Sequence, residues 1–424
     1  MNRQTVNNLS LFKQSAIFLI AFAARLIYLL PQISTGTYMG SDTRLYLEIA
    51  RNVLRGGGFT ANQTPTAFVS PLYPLYLSFC LAVFGENLVW ASVLQCVFSS
   101  LTCVLIALAA SRLFDKNVGL IAGIIAALYY ELILWNSSQL LTEPFYTFFL
   151  AAAIYALVCA ITSENRKFLY FSAAGVAFGL AGLVRPLGLP TAISATIFLL
   201  IVFLLKRQTQ WKYAFLILLF CVLTMLPWGI RNYYTMNHFT LLSLEGGHVF
   251  WLGNNPEYDR FEHPDFSKWG GYTLMFNDFP EEIKGKNEVE VNQIFGQIAR
   301  RHIFAHPFDF VVRGFHKMWN MWRPAFSGSS AKNLLVSWTI YPLLLLLSLS
   351  GIWLAFRNNA VTEVQTIAAG VLVWIFLTNL LIHFTITGEI RFRVPLWTLL
   401  IPFAALTFSK IILKAKSFQR SAPI

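Results

Sequence analysis

Apolar residues in this chain gather in long unbroken runs. A helix that crosses a bilayer needs about 20 predominantly apolar residues. Runs of that kind occupy 11–30, 88–112, 117–135, 140–162, 168–184, 186–205, 211–228, 335–356, 364–386 and 394–413. The pattern predicts an all-α polytopic membrane protein with about ten transmembrane helices. A shorter apolar piece, 71–84, starts at Ser70-Pro71 and stops at Gly85, which suits a juxtamembrane helix. Ahead of it the periodicity changes. Leu45, Ile49 and Val53 make one stripe with Tyr46, Ala50 and Leu54 beside it, while Arg44, Glu48, Arg51 and Arg55 line the opposite face. That is the pattern of a helix lying on the membrane surface, with Gly56-Gly57-Gly58 as its stop.

Composition agrees. Only 12% of the 424 residues are charged and 56% are hydrophobic, against roughly 25% charged in an average soluble protein. An ordinary cytosolic enzyme, a disordered protein and a disulfide scaffold are all excluded. The five cysteines lie inside apolar runs without a CxxC pair, so they read as small packing residues.

The net charge of +12 could mark a polyanionic partner or membrane topology. Its distribution decides. With the N-terminus cytoplasmic, fourteen basic and three acidic residues fall in the inner segments, and the other side is close to neutral. This is the positive-inside asymmetry, and it gives no reason to expect nucleic acid as a partner. Ten spans place both termini in the cytoplasm. Arg3 and Lys13 precede a first run followed by Pro31-Gln32-Ile33 rather than by a small-residue cleavage site, so a retained first helix is expected.

Two segments on the other side are long, 31–87 and 229–333. The second carries eleven basic residues, eleven acidic ones and six of the seven histidines, as a small water-exposed subdomain would. The chain accordingly divides into an N-terminal transmembrane module (1–228), this subdomain (229–333) and a C-terminal transmembrane module (334–424).

Ionisable residues concentrate at the outer interface. Asp42 opens the surface helix, Arg25 lies in the outer half of the first span, and Glu131 and Glu143 stand at outer helix ends. Arg185-Pro186 separates two spans, Pro227-Trp228-Gly229-Ile230-Arg231-Asn232 closes the seventh, and Gly388-Glu389-Ile390-Arg391-Phe392-Arg393 precedes the last. Singly, Asp42 reads as an N-cap and the others as snorkelling anchors. Together they suggest a mouth that takes an anionic substrate. No nucleotide-binding glycine motif is visible, and nucleotide sugars are not supplied outside the cytoplasm. An activated sugar at that level would be carried on a polyprenyl phosphate. Its transfer needs a base for the acceptor proton and cations for the phosphate. A transporter or flippase of a lipid-linked sugar is the alternative, although no internal repeat accompanies it. His302 and His306 are four apart but lack an HExxH pattern, and there is no DxD motif. No cofactor is therefore assigned, and a divalent metal is left open.

The outer-face motifs closely resemble those of the GT-C class of polyprenyl-phosphate-dependent glycosyltransferases, in the branch of protein mannosyltransferases and bacterial aminoarabinose transferases. The resemblance runs through Arg25, Gly40-Ser41-Asp42 with Tyr46 and Ala50, Ser70-Pro71-Leu72-Tyr73-Pro74 and Leu183-Val184-Arg185-Pro186. It continues in Pro227-Trp228 with Arg231-Asn232, Gly253-Asn254-Asn255-Pro256, His306-Pro307 and Glu389-Ile390-Arg391-Phe392. It implies an inverting transfer from a polyprenyl-phosphate sugar to a protein, lipid or glycan acceptor. The setting would be a bacterial inner membrane with its lipids, and the site would be extracytoplasmic. Asp42 would be the catalytic base. Arg231 and Arg391, then Arg185 and Arg44, would engage the lipid phosphate, and Glu143 would join the site. Many relatives follow the aspartate with glutamate, where this chain has Thr43.

Overall fold

The computed structural model describes residues 9–35, 42–137, 139–255, 281–324, 331–357 and 361–421. Gly40-Ser41 and Pro256 of the motifs above lie outside the described residues. The helices begin with α1 (Leu11–Thr35), α2 (Thr43–Leu54), α3 (Leu72–Phe84), α4 (Val89–Leu113), α5 (Lys116–Leu128) and α6 (Tyr130–Ser137). Next come α7 (Glu143–Thr162), α8 (Lys167–Val184), α9 (Gly188–Leu205) and α10 (Trp211–Met236). The 229–333 segment contributes α11 (Gly246–Leu252), α12 (Glu288–Ala305) and α13 (Pro307–Trp322). The chain closes with α14 (Ala331–Phe356), α15 (Glu363–Thr385), α16 (Ile390–Arg393) and α17 (Trp397–Ser421). Among the described residues, nine helical stretches are long and apolar enough to cross a membrane, which makes this a multi-pass membrane protein. Their contacts are built from small side chains. Ala153, Ala156 and Ala160 of α7 and Ala174, Gly175 and Ala181 of α8 are buried, as close helix approach inside a bilayer requires.

Two expected spans differ. The run 117–135 is not one helix: α5 stops, Tyr129 turns the chain with φ −68° and ψ 119°, and α6 follows. The Tyr129 ring packs edge-on against Trp397, 4.9 Å between centroids. A helix end leaves carbonyls without helical partners, and Arg25 supplies one donor. Its guanidinium, fully buried between α1, α4 and α5, donates to the carbonyls of Ala127 (3.2 Å) and Ala21 (3.0 Å) and to the side chains of Ser99 and Cys103. Arg25 therefore braces a broken span and does not reach the mouth.

The seventh span was expected to end at Pro227-Trp228, yet α10 continues through Pro227 to Met236. A proline's lost bond is tolerated in membrane helices, and the extra turns are anchored. Trp228 packs edge-on against Phe59 at 4.9 Å, and the Asn232 side chain donates to the Thr240 carbonyl at 3.0 Å.

The surface helix forms over Thr43–Leu54, but its buried side differs from the predicted stripe. Ile49 and Ala50 are buried together with Leu47; Leu45 and Val53 are half-buried, Leu54 is exposed, and α3 packs beside the helix. Between them lies a short antiparallel hairpin, β1 (Thr60–Ala61) with β2 (Thr64–Pro65), that no strand pattern announced. Asn62 and Gln63 at its tip have φ of 49° and 62°, the left-handed pair that a two-residue hairpin turn uses. Leu244 and Glu288, described residues of the 229–333 segment, close over this loop. The Glu288 carboxylate accepts from the Thr66 hydroxyl and from the Ala67 amide at 2.9 Å, and the Leu244 amide donates to the Ala67 carbonyl at 2.8 Å.

Candidate active site

Asp42 stands at the N-cap position of α2 but makes no capping bond. Its Oδ2 instead accepts from Nη1 of Arg391 at 3.2 Å. The next residue, Thr43, is buried and donates to the Leu140 carbonyl at 2.9 Å, so it holds the helix start in place. Arg391 is shared: its Nε lies 2.8 Å from Glu389 Oε2 and 4.0 Å from Glu143 Oε1. Arg185, at the end of α8, donates to the same Glu143 oxygen at 2.9 Å. The Phe392 ring faces both guanidinium groups, 5.1 Å from Arg185 and 5.3 Å from Arg391, and its other neighbour is the stacked imidazole of His383 at 5.2 Å. The starts of α2 and α7 carry Asp42 and Glu143, where the helix dipole favours negative charge. Four of the residues named from the sequence, Asp42, Glu143, Arg185 and Arg391, are thus brought into one network from four separate parts of the chain.

Close backbone contact fixes the segment that presents Arg391. A Cβ on Gly388 would stand 2.1 Å from the Lys317 carbonyl oxygen, and one on Gly253 would stand 1.7 Å from that of Ile386, so only glycine fits either place. Asn254 donates to the Thr385 carbonyl at 2.8 Å, and the buried Lys317 ammonium donates to Asn254 Oδ1 at 3.0 Å. The Gly-Asn-Asn turn is therefore a clamp on the loop before α16. Two residues apart in a helix point to different sides. Arg391 faces the network, whereas Arg393 turns inward to the carboxylate of Glu131, which also accepts from the Trp397 indole at 3.0 Å.

Sequence reasoning missed Glu245 and gave Glu389 no role. Glu245 is the N-cap residue of α11, and like Asp42 it makes no capping bond. It accepts from the Ser243 hydroxyl at 3.3 Å. Burial pushes its carboxyl above the usual range, Arg185 and Arg391 pull it down, and Asp42 pushes it up. Tyr46, one turn along α2 from Asp42, has its phenol raised by burial and then by Asp42, Glu245 and Glu143. A Ser-Leu-Glu-Gly-Gly run signals a turn but carries nothing about where the carboxylate points.

Two named arginines stand apart. Arg44 is exposed on the far face of α2. Arg231 donates to the carbonyls of Thr66 and Phe59, both at 2.7 Å, and its guanidinium lies over Trp228 at 4.9 Å and Phe59 at 5.5 Å. It lines a separate, largely apolar groove of about 600 Å³ walled by Phe59, Pro71, Leu75, Leu183, Pro227 and Trp228. His302 lies 2.9 Å from Arg313, and His306 faces Asp309 at 3.9 Å, with Pro307 opening α13. Among the described residues, no three His, Cys, Asp or Glu side chains converge as metal ligands would.

A broken third span, a surface helix and a charged network at one end of an apolar bundle describe a multi-pass membrane protein. Residues 67–230 match the family model described as dolichyl-phosphate-mannose-protein mannosyltransferase. An undecaprenyl phosphate-α-4-amino-4-deoxy-L-arabinose arabinosyl transferase of Pseudomonas paraeruginosa is 28% identical over 228 residues, covering 51% of this chain and 40% of the relative. The match thus spans well under half the length of the curated relative. The oligosaccharyltransferase of Archaeoglobus fulgidus, solved tethered to an acceptor peptide, superposes on 96% of this chain and 50% of its own, with a TM-score of 0.63 at 15% identity. An oligosaccharyltransferase of the same organism in complex with an inhibitory peptide and a dolichol-phosphate gives 0.59 over 98% of this chain and 53% of its own, at 14% identity. These structures share the fold. The chain resembles the GT-C glycosyltransferases of the protein mannosyltransferase and aminoarabinose transferase branch.

Proposed function

We propose that this protein is a membrane glycosyltransferase. It moves a sugar from a polyprenyl-phosphate donor to an acceptor at the extracytoplasmic face, with both termini in the cytoplasm. The observation that carries the reading is the Asp42–Arg391 pair, a partly exposed carboxylate held at 3.2 Å by an arginine that other carboxylates share. The relatives support the donor class: one is named for an undecaprenyl phosphate-linked sugar, and the matching family for a dolichyl-phosphate-linked one.

The chemistry follows from charge. A donor phosphate entering the network competes with Asp42, Glu143 and Glu389 for Arg391 and Arg185. Arg391 exchanges a carboxylate for the phosphate, and Asp42 is released as a base. The acceptor hydroxyl attacks the anomeric carbon, and its proton passes to Asp42. The bond from that carbon to the phosphate oxygen breaks, and the electron pair leaves on a phosphate held by guanidinium groups. Attack opposite the leaving group inverts the anomeric centre. Arg231 serves the donor differently from Arg391, by holding the hairpin over the apolar groove in which an isoprenoid tail would lie.

Asp42→Asn tests the reading. Transfer from polyprenyl-phosphate sugars in membranes of equal protein content should fall about 10²- to 10⁴-fold. Wild-type transfer by the variant would overturn Asp42 as base. Net flipping of the lipid-linked sugar in liposomes, with no transfer by the native protein, would overturn the enzyme reading in favour of a transporter.

A further inference from the structure

Helix α13 has three sides. Helical periodicity puts Arg313, Gly314, Lys317 and Met321 on one of them, and all four are buried. Lys317 donates to Asn254 Oδ1 at 3.0 Å and to the Thr385 carbonyl at 3.3 Å, and Arg313 donates to the Asn255 carbonyl at 2.8 Å. Gly314 lies against the Phe384 ring, which a Cβ would approach to 2.2 Å. This side grips the end of α15 and the loop that presents Arg391. A second side is polar, with Asp309 and His316 exposed and Asn320 half-buried. The third is apolar, and it is exposed as well.

Phe308, Val311, Val312, Phe315 and Trp319 recur at helical spacing and form one stripe. Their exposures are 77, 44, 37, 65 and 64%. Three large rings left open along one short helix are more than the scattered apolar residues of an ordinary wet surface. The stripe is also continuous with another. Phe315 packs edge-on against Phe384 at 5.5 Å, and Phe384 follows Leu377 and Leu381 along α15, a span on which those two leucines are 52% and 64% exposed. The exposed apolar side of a span faces lipid. Helix α13 itself cannot cross, because its sixteen residues rise about 24 Å, less than the roughly 30 Å of a hydrocarbon core, and they carry Asp309, Arg313 and Lys317.

We propose that α13 is an in-plane interfacial helix. Its stripe of Phe308, Val311, Val312, Phe315 and Trp319 sits among the acyl chains of the leaflet nearest the charged network, and its polar side faces water. Lipid is the occupant for three reasons. The polar side borders the apolar one directly, as in helices that sink an apolar face about 5–10 Å into the headgroup boundary. The stripe runs on from the lipid-facing side of α15 through the Phe315–Phe384 contact. Trp319 belongs to the residue type that collects at membrane–water interfaces, with an apolar body and a polar tip. The buried side of the same helix holds Asn254, Thr385 and Gly388. The loop bearing Arg391 therefore rests on the membrane surface through α13, and this part of the 229–333 segment is seated in lipid.

The test uses purified full-length protein in vesicles of phosphatidylethanolamine and phosphatidylglycerol. The five native cysteines are buried, so a nitroxide attaches selectively to Phe308→Cys, Val312→Cys or His316→Cys. The first two labels should collide with oxygen, which concentrates among acyl chains, and lose access to a water-soluble nickel chelate; the third should keep that access. A chelate that reaches all three alike puts the stripe in water and overturns the proposal. Labels at the first two positions shielded from both reagents overturn it too, since a protein surface then covers the stripe. Native protein supplies the second measurement. A phospholipid with a diazirine in its acyl chain should, on irradiation, leave adducts on Phe308–Trp319 as it does on Leu377 and Leu381. Adducts on α15 with none on α13 overturn the proposal even if the labelled variants fail to fold. None of these readouts involves sugar transfer, so the proposal and the glycosyltransferase reading fail separately.

Discussion

Arg391 and Arg393 leave opposite sides of one short helix, and the two clusters they form share their chemistry but little else. Around Arg393 the account is closed. Its side chain is 0% exposed and that of Glu131 7%; the Trp397 indole, the Met321 and Arg323 carbonyls and the Tyr341 ring complete the shell. Around Arg391 it stays open. Asp42 is 38% exposed, one guanidinium answers to Asp42 and Glu389 with Glu143 nearby, and carboxylates outnumber arginines. A buried pair with every acceptor satisfied is a structural joint. A shared, water-reachable arginine beside surplus carboxylates can exchange partners, which is what binding an anion demands. Depth and residue type do not separate the two; exposure and stoichiometry do.

The sharpest way to break this contrast is to remove each arginine in turn. Arg393→Met leaves Glu131 as an uncompensated buried charge and should cost about 3–5 kcal/mol, read as lost abundance and a lower Tm in detergent. Adding Glu131→Leu should restore much of that stability, because an apolar pair tolerates the site better than a lone charge. Arg391→Met should behave oppositely. Tm changes little, since Asp42 and Glu389 reach water and the buried Glu143 keeps Arg185 at 2.9 Å, while transfer falls about 10²- to 10³-fold, the scale of one lost transition-state donor. An Arg391→Met protein that unfolds as Arg393→Met does would erase the distinction between joint and site.

The sequence carried the bundle because hydropathy is summed over some twenty positions, and errors at single residues cancel. It also carried the surface helix, whose stripe returns every third or fourth residue. It failed where tertiary contacts decide. Nothing in 117–135 marks Tyr129 as a break, because the reason lies in Trp397 and Arg25, far away in the chain. Proline at 227 reads as a stop, and the anchors that carry α10 past it come from the Phe59 and Thr240 regions. Within the site, charge at a common height was legible, so Asp42, Glu143, Arg185 and Arg391 were named. Direction was not: Arg231 and Arg25 sit at plausible heights but point to carbonyls. Glu245 lay in a turn whose composition hides its carboxylate's aim.

Arg44 gives the finest test of the contrast, with the smallest expected effect. It stands two residues after Asp42, shares its helix, and was a candidate for the same phosphate. Helical geometry puts positions i and i+2 on different faces, and Arg44 is exposed on the side away from the network. A lone exposed guanidinium acts through water, where screening leaves an interaction of at most a few tenths of a kcal/mol. Arg44→Ala should therefore leave transfer within about twofold of native and Tm unchanged. A loss approaching that of Arg391→Met would mean that Arg44 meets the donor from outside, and that exposure alone does not separate structural charges from functional ones at this face.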